Sequence, residues 1–239
     1  MLEGLKARIR ERQFTPGFLD LFVNPFYFAR KGLYRHVASL APIMGGRLLD
    51  IGCGSKPYRR LFGASEYIGL EIEGRDKDAD LYYDGKTFPL KDREADSVFT
   101  SQVLEHVFNP DEFMSEINRV LKEGGVLLLT VPFLWDEHEE PFDYARYSSF
   151  GLVHLLQRHG FEVIEHRKSM DDLRVVFQMI NAYIYKKTIT KYGKLNLLIT
   201  LVLMAPINVL GEIAGMILPR NSSLYLDNII LARKVRCLK

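Results

Sequence analysis

The segment 47–54 does most to restrict what this chain can become. Leu48, Leu49 and Ile51 form a short apolar run that passes directly into Gly52-Cys53-Gly54. An unalternating apolar run of this length suits a strand buried on both faces. A glycine pair at its end lets the chain turn tightly and bring its backbone close to a ligand. Runs of the same kind recur at 67–71, 80–84, 96–101, 125–131, 161–165 and 226–232. Helical spacing separates several of them. Phe113, Ile117, Val120 and Leu121 mark a helix over 110–122, with Asn109 as N-cap and Gly124 as stop, and a second helix runs over 149–159 to Gly160. Residues 1–44 are rich in apolar side chains, punctuated by Pro16, Pro25 and Pro42, and read as helices. Alternating strands and helices predict an α/β, Rossmann-like, doubly wound sheet, with its ligand at the carboxyl ends of the first strands.

Those strand ends carry polar groups in a telling order. A dinucleotide fingerprint needs a third glycine at position 57, but Pro57 stands there, which argues against a pyrophosphate on this turn and against a nicotinamide oxidoreductase. Glu71 closes the second run, 19 residues beyond Gly52, where a carboxylate can accept from both ribose hydroxyls. Asp84, after the third run, can accept from an adenine amino group.

The chain resembles the class I S-adenosylmethionine-dependent methyltransferases. The resemblance rests on Leu48-Leu-Asp-Ile-Gly-Cys-Gly54, Glu71, Asp84 with Phe88-Pro89-Leu90, Asp96-Ser-Val-Phe99, Leu104-Glu105-His106-Val107 and the stretch 121–132. It covers residues 47–168 and the last strand. It implies about seven strands, the last antiparallel, and S-adenosylmethionine as cofactor. It also implies that Asp50, Gly52 and Gly54 line the methionine and ribose end, that Glu71 holds the ribose and Asp84 the adenine, and that Ser101 and Gln102 pass the sulfonium. One departure is that residues 169–223 separate the last two strands, which usually form a near hairpin. The domain boundaries that follow are 1–46 (N-terminal helices), 47–168 (cofactor-binding core), 169–223 (apolar helical insertion) and 224–239 (last strand and tail).

In this family the loop after the fifth strand covers the methyl acceptor. Here that loop, 133–147, holds five carboxylates, His138, Arg146 and several aromatics. Its Pro141-Phe-Asp-Tyr-Ala-Arg-Tyr-Ser148 pattern resembles methyltransferases of bacterial surface-glycan and lipid pathways. Trp135, Tyr144, Arg146 and Tyr147 are the expected acceptor contacts, Arg146 either gripping an anionic group or pairing with Glu139 or Glu140. Methyl transfer from a sulfonium needs no acid at the leaving thioether, but an acceptor hydroxyl needs a base. His138 is the first candidate because imidazole titrates near neutrality, and Asp143 and His106 follow. No metal site is expected, since His138 with Glu139 has no evident second histidine partner.

Residues 195–218 contain one charge, Glu212. As a helix they would run about 36 Å, enough to span a bilayer core. Pro206, Asn196, Asn208 and Glu212 argue against a simple span. Asn196, Thr200, Asn208 and Glu212 recur at multiples of four, which suggests one wet side on a helix lying in a membrane interface or covering the acceptor pocket. Lys186, Lys187, Lys191 and Lys194 precede this stretch and Arg220 follows it, which favours an anionic membrane surface. A lid packed on the domain, or a homodimer face, is the alternative.

The net charge of +2 conceals +4 over residues 1–46, −10 over 47–166 and +8 over 167–239. Basic ends suit an anionic surface or simply neutralise the acidic centre. Nucleic acid is disfavoured as a partner, because Ser101-Gln-Val-Leu104 replaces the Asn-Pro-Pro-aromatic motif. Two cysteines, Cys53 and Cys237, exclude a disulfide framework, and the start of the chain lacks a signal-peptide pattern. The expectation is a cytoplasmic methyltransferase, peripheral on the inner face of a membrane, acting at an oxygen of a small-molecule, glycan or lipid-linked acceptor. A non-catalytic cofactor-binding scaffold and a nucleic-acid methyltransferase are the alternatives.

Overall fold

The computed structural model describes residues 13–74 and 78–235; the helical expectation for residues 1–12, and Cys237, lie outside them. Helices α1 (Asp20–Val23) and α2 (Tyr27–Leu40) lead into the sheet. Then come β1 (Arg47–Ile51), β2 (Glu66–Ile72), β3 (Leu81–Tyr83), β4 (Ala95–Ser101), α3 (Pro110–Val120), β5 (Leu121–Pro132), α4 (Ser149–Arg158) and β6 (Phe161–Lys168). Helices α5 (Arg174–Thr188), α6 (Gly193–Ile199) and α7 (Ala205–Ile217) precede β7 (Asp227–Lys234).

The seven strands lie in the order β3-β2-β1-β4-β5-β7-β6. The first five are parallel, with Leu48 opposite both Tyr67 and Ser97. β7 is antiparallel to β6: Leu226 N–H donates to the Ser169 carbonyl at one end, and Val235 N–H donates to the Gly160 carbonyl at the other. The chain leaves β1 toward β2 on one side and returns to β4 on the other. This reversal opens a crevice beyond the carboxyl ends of β1 and β4, where open α/β sheets bind ligands.

The chain folds into two compact units. The sheet unit comprises the described residues of His36–Phe133, Glu137–Arg167 and 228–235. Leu49, Ile51, Val98, Leu127, Leu129 and Ile230 of its strands are buried against Phe113, Met114, Ile117 and Val120 of α3 and Leu152 and Leu156 of α4. Helix α3 stops two residues short of the expected Lys122, because Leu121 already has extended backbone angles. Gly124, expected as the helix stop, lies within β5 at φ 76°, where the β4–β5 register shifts. It therefore serves a strand irregularity, a position suited to glycine because of its positive φ.

The helical unit comprises the described residues up to Arg35, Leu134–Asp136 and Lys168–Asp227. Its helices α6 and α7 join through a π-helical turn, Thr200–Met204, into one 25-residue helix, Gly193–Ile217. By length and composition this helix could cross a membrane. Its polar band faces opposite to expectation, toward the protein. Asn208 is fully buried; it donates to the carbonyls of Leu21 and Asn24 and accepts from Asn181. Thr200 is buried and donates to the Asn196 carbonyl, while Asn196 binds Thr190. Glu212 pairs with Lys31 at 2.7 Å and Arg174 at 3.3 Å. Burying these groups is tolerable because each finds a partner. The apolar side is left outward, with Val202 60%, Met216 79% and Ile217 75% exposed. This arrangement inverts that of a helix with its apolar stripe in a core.

Candidate active site

The turn after β1 is shaped by close approach. Gly52 and Gly54 have φ of 69° and 47°. A Cβ on Gly52 would lie 2.3 Å from Val103 Cγ2, so β4's exit permits only glycine there. At Gly54 an added Cβ would meet nothing within 4 Å, so the turn borders open space. The buried Glu71 carboxylate accepts from Gly54 N–H and Ile72 N–H, both at 3.0 Å, tying the end of β2 to this turn. Asp50 is buried beneath it and accepts from the Tyr67 hydroxyl. Burial, with the Glu71 charge, pushes the Asp50 carboxyl up to about 7, and the Tyr67 hydrogen bond only partly opposes this. Cys53 is a buried free thiol that burial pushes up to about 12, which makes it a poor nucleophile.

β4 ends at Ser101, whose hydroxyl lies 2.8 Å from that of Thr130. Gln102 follows at φ 58°, unusual for a residue with a side chain, and is held by its N–H to the Thr130 carbonyl and its amide to the Thr130 hydroxyl. Asp84 lies on an exposed turn. Its Oδ1 accepts from Thr87 and Lys86 N–H, which hold its carboxyl below the usual range. Two pairings were not evident from the sequence, Tyr67 to Asp50 and Lys56 to Asp80 at 2.8 Å. Strand alternation offered a clue to the first, because Tyr67 begins the run beside β1.

The loop after β5 is fastened to the short helical turn Leu104–His106. Tyr144 and Ala145 N–H both donate to the Glu105 carbonyl, and His106 Nδ1 lies 2.8 Å from the Phe142 carbonyl. Since a carbonyl only accepts, Nδ1 carries the proton. The ring centroids of His106 and His138 lie 4.8 Å apart, edge to face. The fold thus supplies the second histidine that the linear sequence did not show, and places the buried Glu105 beside it. Burial holds the His106 imidazole below its ordinary pKa. Asp143 accepts from His138 N–H at 3.0 Å and lies 3.4 Å from His138 Nδ1.

Arg146 is engaged inside its own loop. It binds both oxygens of Asp143, at 2.6 and 2.7 Å. That pairing brings the Asp143 carboxyl down to about 2, so Asp143 is a weak base and an anchor for the loop. Tyr144 packs edge-on to Phe108. Burial and the Glu105 charge push the Tyr147 hydroxyl up to about 12. Trp135, expected with these residues, belongs to the helical unit and packs on Phe26.

A family model described as a methyltransferase domain matches residues 25–166. The fatty-acid O-methyltransferase of Mycolicibacterium smegmatis is 27% identical over 182 residues, covering 67% of this chain and 64% of that protein. The ubiquinone biosynthesis O-methyltransferase of Dinoroseobacter shibae is 34% identical over 116 residues, covering 39% and 44%. The matched stretch is thus under two-thirds of either relative's length. The solved structure of Haemonchus contortus phosphoethanolamine N-methyltransferase 2 with S-adenosyl-L-methionine superposes with TM-score 0.53 at 18% identity, covering 92% of this chain and 56% of that one. That likeness is one of fold.

Proposed function

The chain belongs to the methyltransferase domain family and is an S-adenosylmethionine-dependent methyltransferase; from that premise we propose that it methylates an oxygen of a small-molecule, glycan or lipid-linked acceptor. The turn after β1 fits the cofactor. It combines two left-handed glycines, open space at Gly54 and a buried carboxylate at the end of β2. In this reading Asp50, Gly52 and Gly54 line the methionine and ribose end, Glu71 holds the ribose and Asp84 the adenine. Bound S-adenosylmethionine supplies an electrophilic methyl on a sulfonium that departs as a neutral thioether. The chain's own task is then to place the acceptor oxygen in line and take its proton.

The observation that carries the oxygen reading is His138 standing against His106, with the ionised Asp143 at 3.4 Å from its Nδ1. An imidazole beside a carboxylate is suited to accept a hydroxyl proton. The two O-methyltransferase relatives support the same atom.

The lipid-linked reading rests on the helical unit. An outward apolar face on Gly193–Ile217 lies close in sequence to exposed Lys187, Lys191 and Lys194, a pairing suited to an anionic lipid surface.

Incubating the protein with lipid and glycan extracts and methyl-labelled S-adenosylmethionine tests the proposal. Label is expected in an ether or ester, and His138→Ala should lower turnover by about 100-fold or more with cofactor affinity retained. Label on nitrogen, or full turnover in that variant, would refute it.

A further inference from the structure

We propose that Glu105, His106 and His138 form a site for a divalent cation of the zinc, cobalt or manganese kind. One donor atom from each lies within 4.8 Å of the others. A tetrahedral ion with bonds near 2.1 Å sets its donors roughly 3.4 Å apart, so the cluster closes onto an ion by a contraction of at most about 1.4 Å. Small side-chain rotations supply that movement, and one of the three donors sits on a loop.

The surroundings orient the donors. His106 Nδ1–H donates to the Phe142 carbonyl at 2.8 Å, which leaves Nε2 with its lone pair, 3.9 Å from Glu105 Oε1. His138 Nδ1 lies 3.4 Å from Asp143 Oδ2, so a carboxylate stands beside the ring, and the tautomer with its proton turned to that carboxylate is the one that offers Nε2 to a metal. The Arg146 guanidinium is also 3.4 Å from that Nδ1, but its charge is matched by two contacts with Asp143. The bonds from Tyr144 and Ala145 N–H to the Glu105 carbonyl hold loop and turn together, so the two histidines stay paired.

Two imidazoles and one carboxylate are an intermediate donor set that suits zinc and its neighbours better than calcium or magnesium. Three protein ligands leave a fourth position for an exogenous oxygen. The role of the ion rests on the acceptor reading above, although its binding does not. An acceptor hydroxyl in the fourth position would lose its proton to solvent near neutral pH. The freed oxygen pair then bonds to the methyl carbon, while the pair of the broken carbon–sulfur bond stays on sulfur. With the ion in place, His138 serves as ligand rather than base.

The test uses untagged full-length protein stripped with a chelator, then titrated with Zn2+ by calorimetry and with Co2+ by visible absorption. One ion per chain is expected, with the intense bands of tetrahedral Co2+ and without thiolate charge transfer. Glu105→Gln and His138→Ala should each weaken Zn2+ binding on the order of 100-fold or more. Retained S-adenosylhomocysteine binding shows that each variant is folded, and His138→Ala, on a loop, gives an arm independent of the buried Glu105. Absence of stoichiometric Zn2+ binding to wild type, or wild-type affinity in both variants, would overturn the site. Turnover that persists after the ion is removed would overturn its role and leave methyl transfer standing.

Discussion

Glu71 and Asp50 lie against the same glycine turn, yet a bound cofactor would affect them differently. Glu71 spends its hydrogen-bonding capacity on the turn and, in the proposed function, on ribose hydroxyls. Glu71→Ala should therefore weaken cofactor binding by about 1–3 kcal/mol, read by calorimetry, since charge-assisted bonds are lost. Unchanged affinity would move the ribose contact elsewhere. Asp50 starts from a carboxyl near 7 against 3.8 in the unfolded chain. The stability it contributes is complete below the unfolded value and is lost as pH rises through 7. A cationic methionine end bound beside it would favour the carboxylate and expel the proton. Cofactor affinity should thus rise with pH through neutrality, with proton release visible as heats that depend on buffer ionisation enthalpy just below pH 7. Heats independent of buffer there would contradict this placement of Asp50.

Among the elements, the β5–α4 loop is held by contacts that join distant parts of the sequence. Asp143 sits near 2 in the folded loop, chiefly through Arg146, against 3.8 unfolded. Its contribution is full above about pH 4 and falls away as pH drops through 2. Asp143→Asn should cost on the order of 1.5–3 kcal/mol at neutral pH, measured by denaturant unfolding, with a shallower loss of stability in acid. A variant as stable as wild type at neutral pH would mean that the pairing holds nothing. The strand ends of this element group were readable in sequence, because buried parallel strands and their glycine exits follow from local pattern. The His106–His138 pair was not, because 32 positions separate them and only the fold closes that gap. The helix Gly193–Ile217 was legible in length but reversed in sense. Periodicity groups Asn196, Thr200, Asn208 and Glu212 on one side, yet it cannot tell water from the partners that Leu21, Asn24, Asn181 and Lys31 provide.

At the scale of the whole molecule, the helical unit presents apolar side chains and exposed lysines close in sequence, and a lipid surface is the proposed occupant. Lys186 is already paired with Asp136 at 2.7 Å, so the informative positions are Lys187, Lys191 and Lys194. Changing these three to glutamine should remove roughly 1 kcal/mol each of attraction to anionic liposomes, abolishing sedimentation at moderate salt with cofactor binding intact. A wild-type protein that never sediments, even at low salt, would end the membrane proposal. The doubly wound order was legible in sequence because strand and helix patterns alternate, and Trp135's place in the helical unit was not, because contiguity with the acceptor loop suggested otherwise. Every proposed step starts from a cofactor held at the carboxyl ends of β1 and β2. Calorimetric titration of S-adenosylhomocysteine into wild type and Gly52→Ala tests that most directly. One site per chain is predicted for wild type, with binding lost in the variant because its Cβ would strike Val103 in a left-handed backbone. Absent binding in wild type, or equal binding in both, would contradict it.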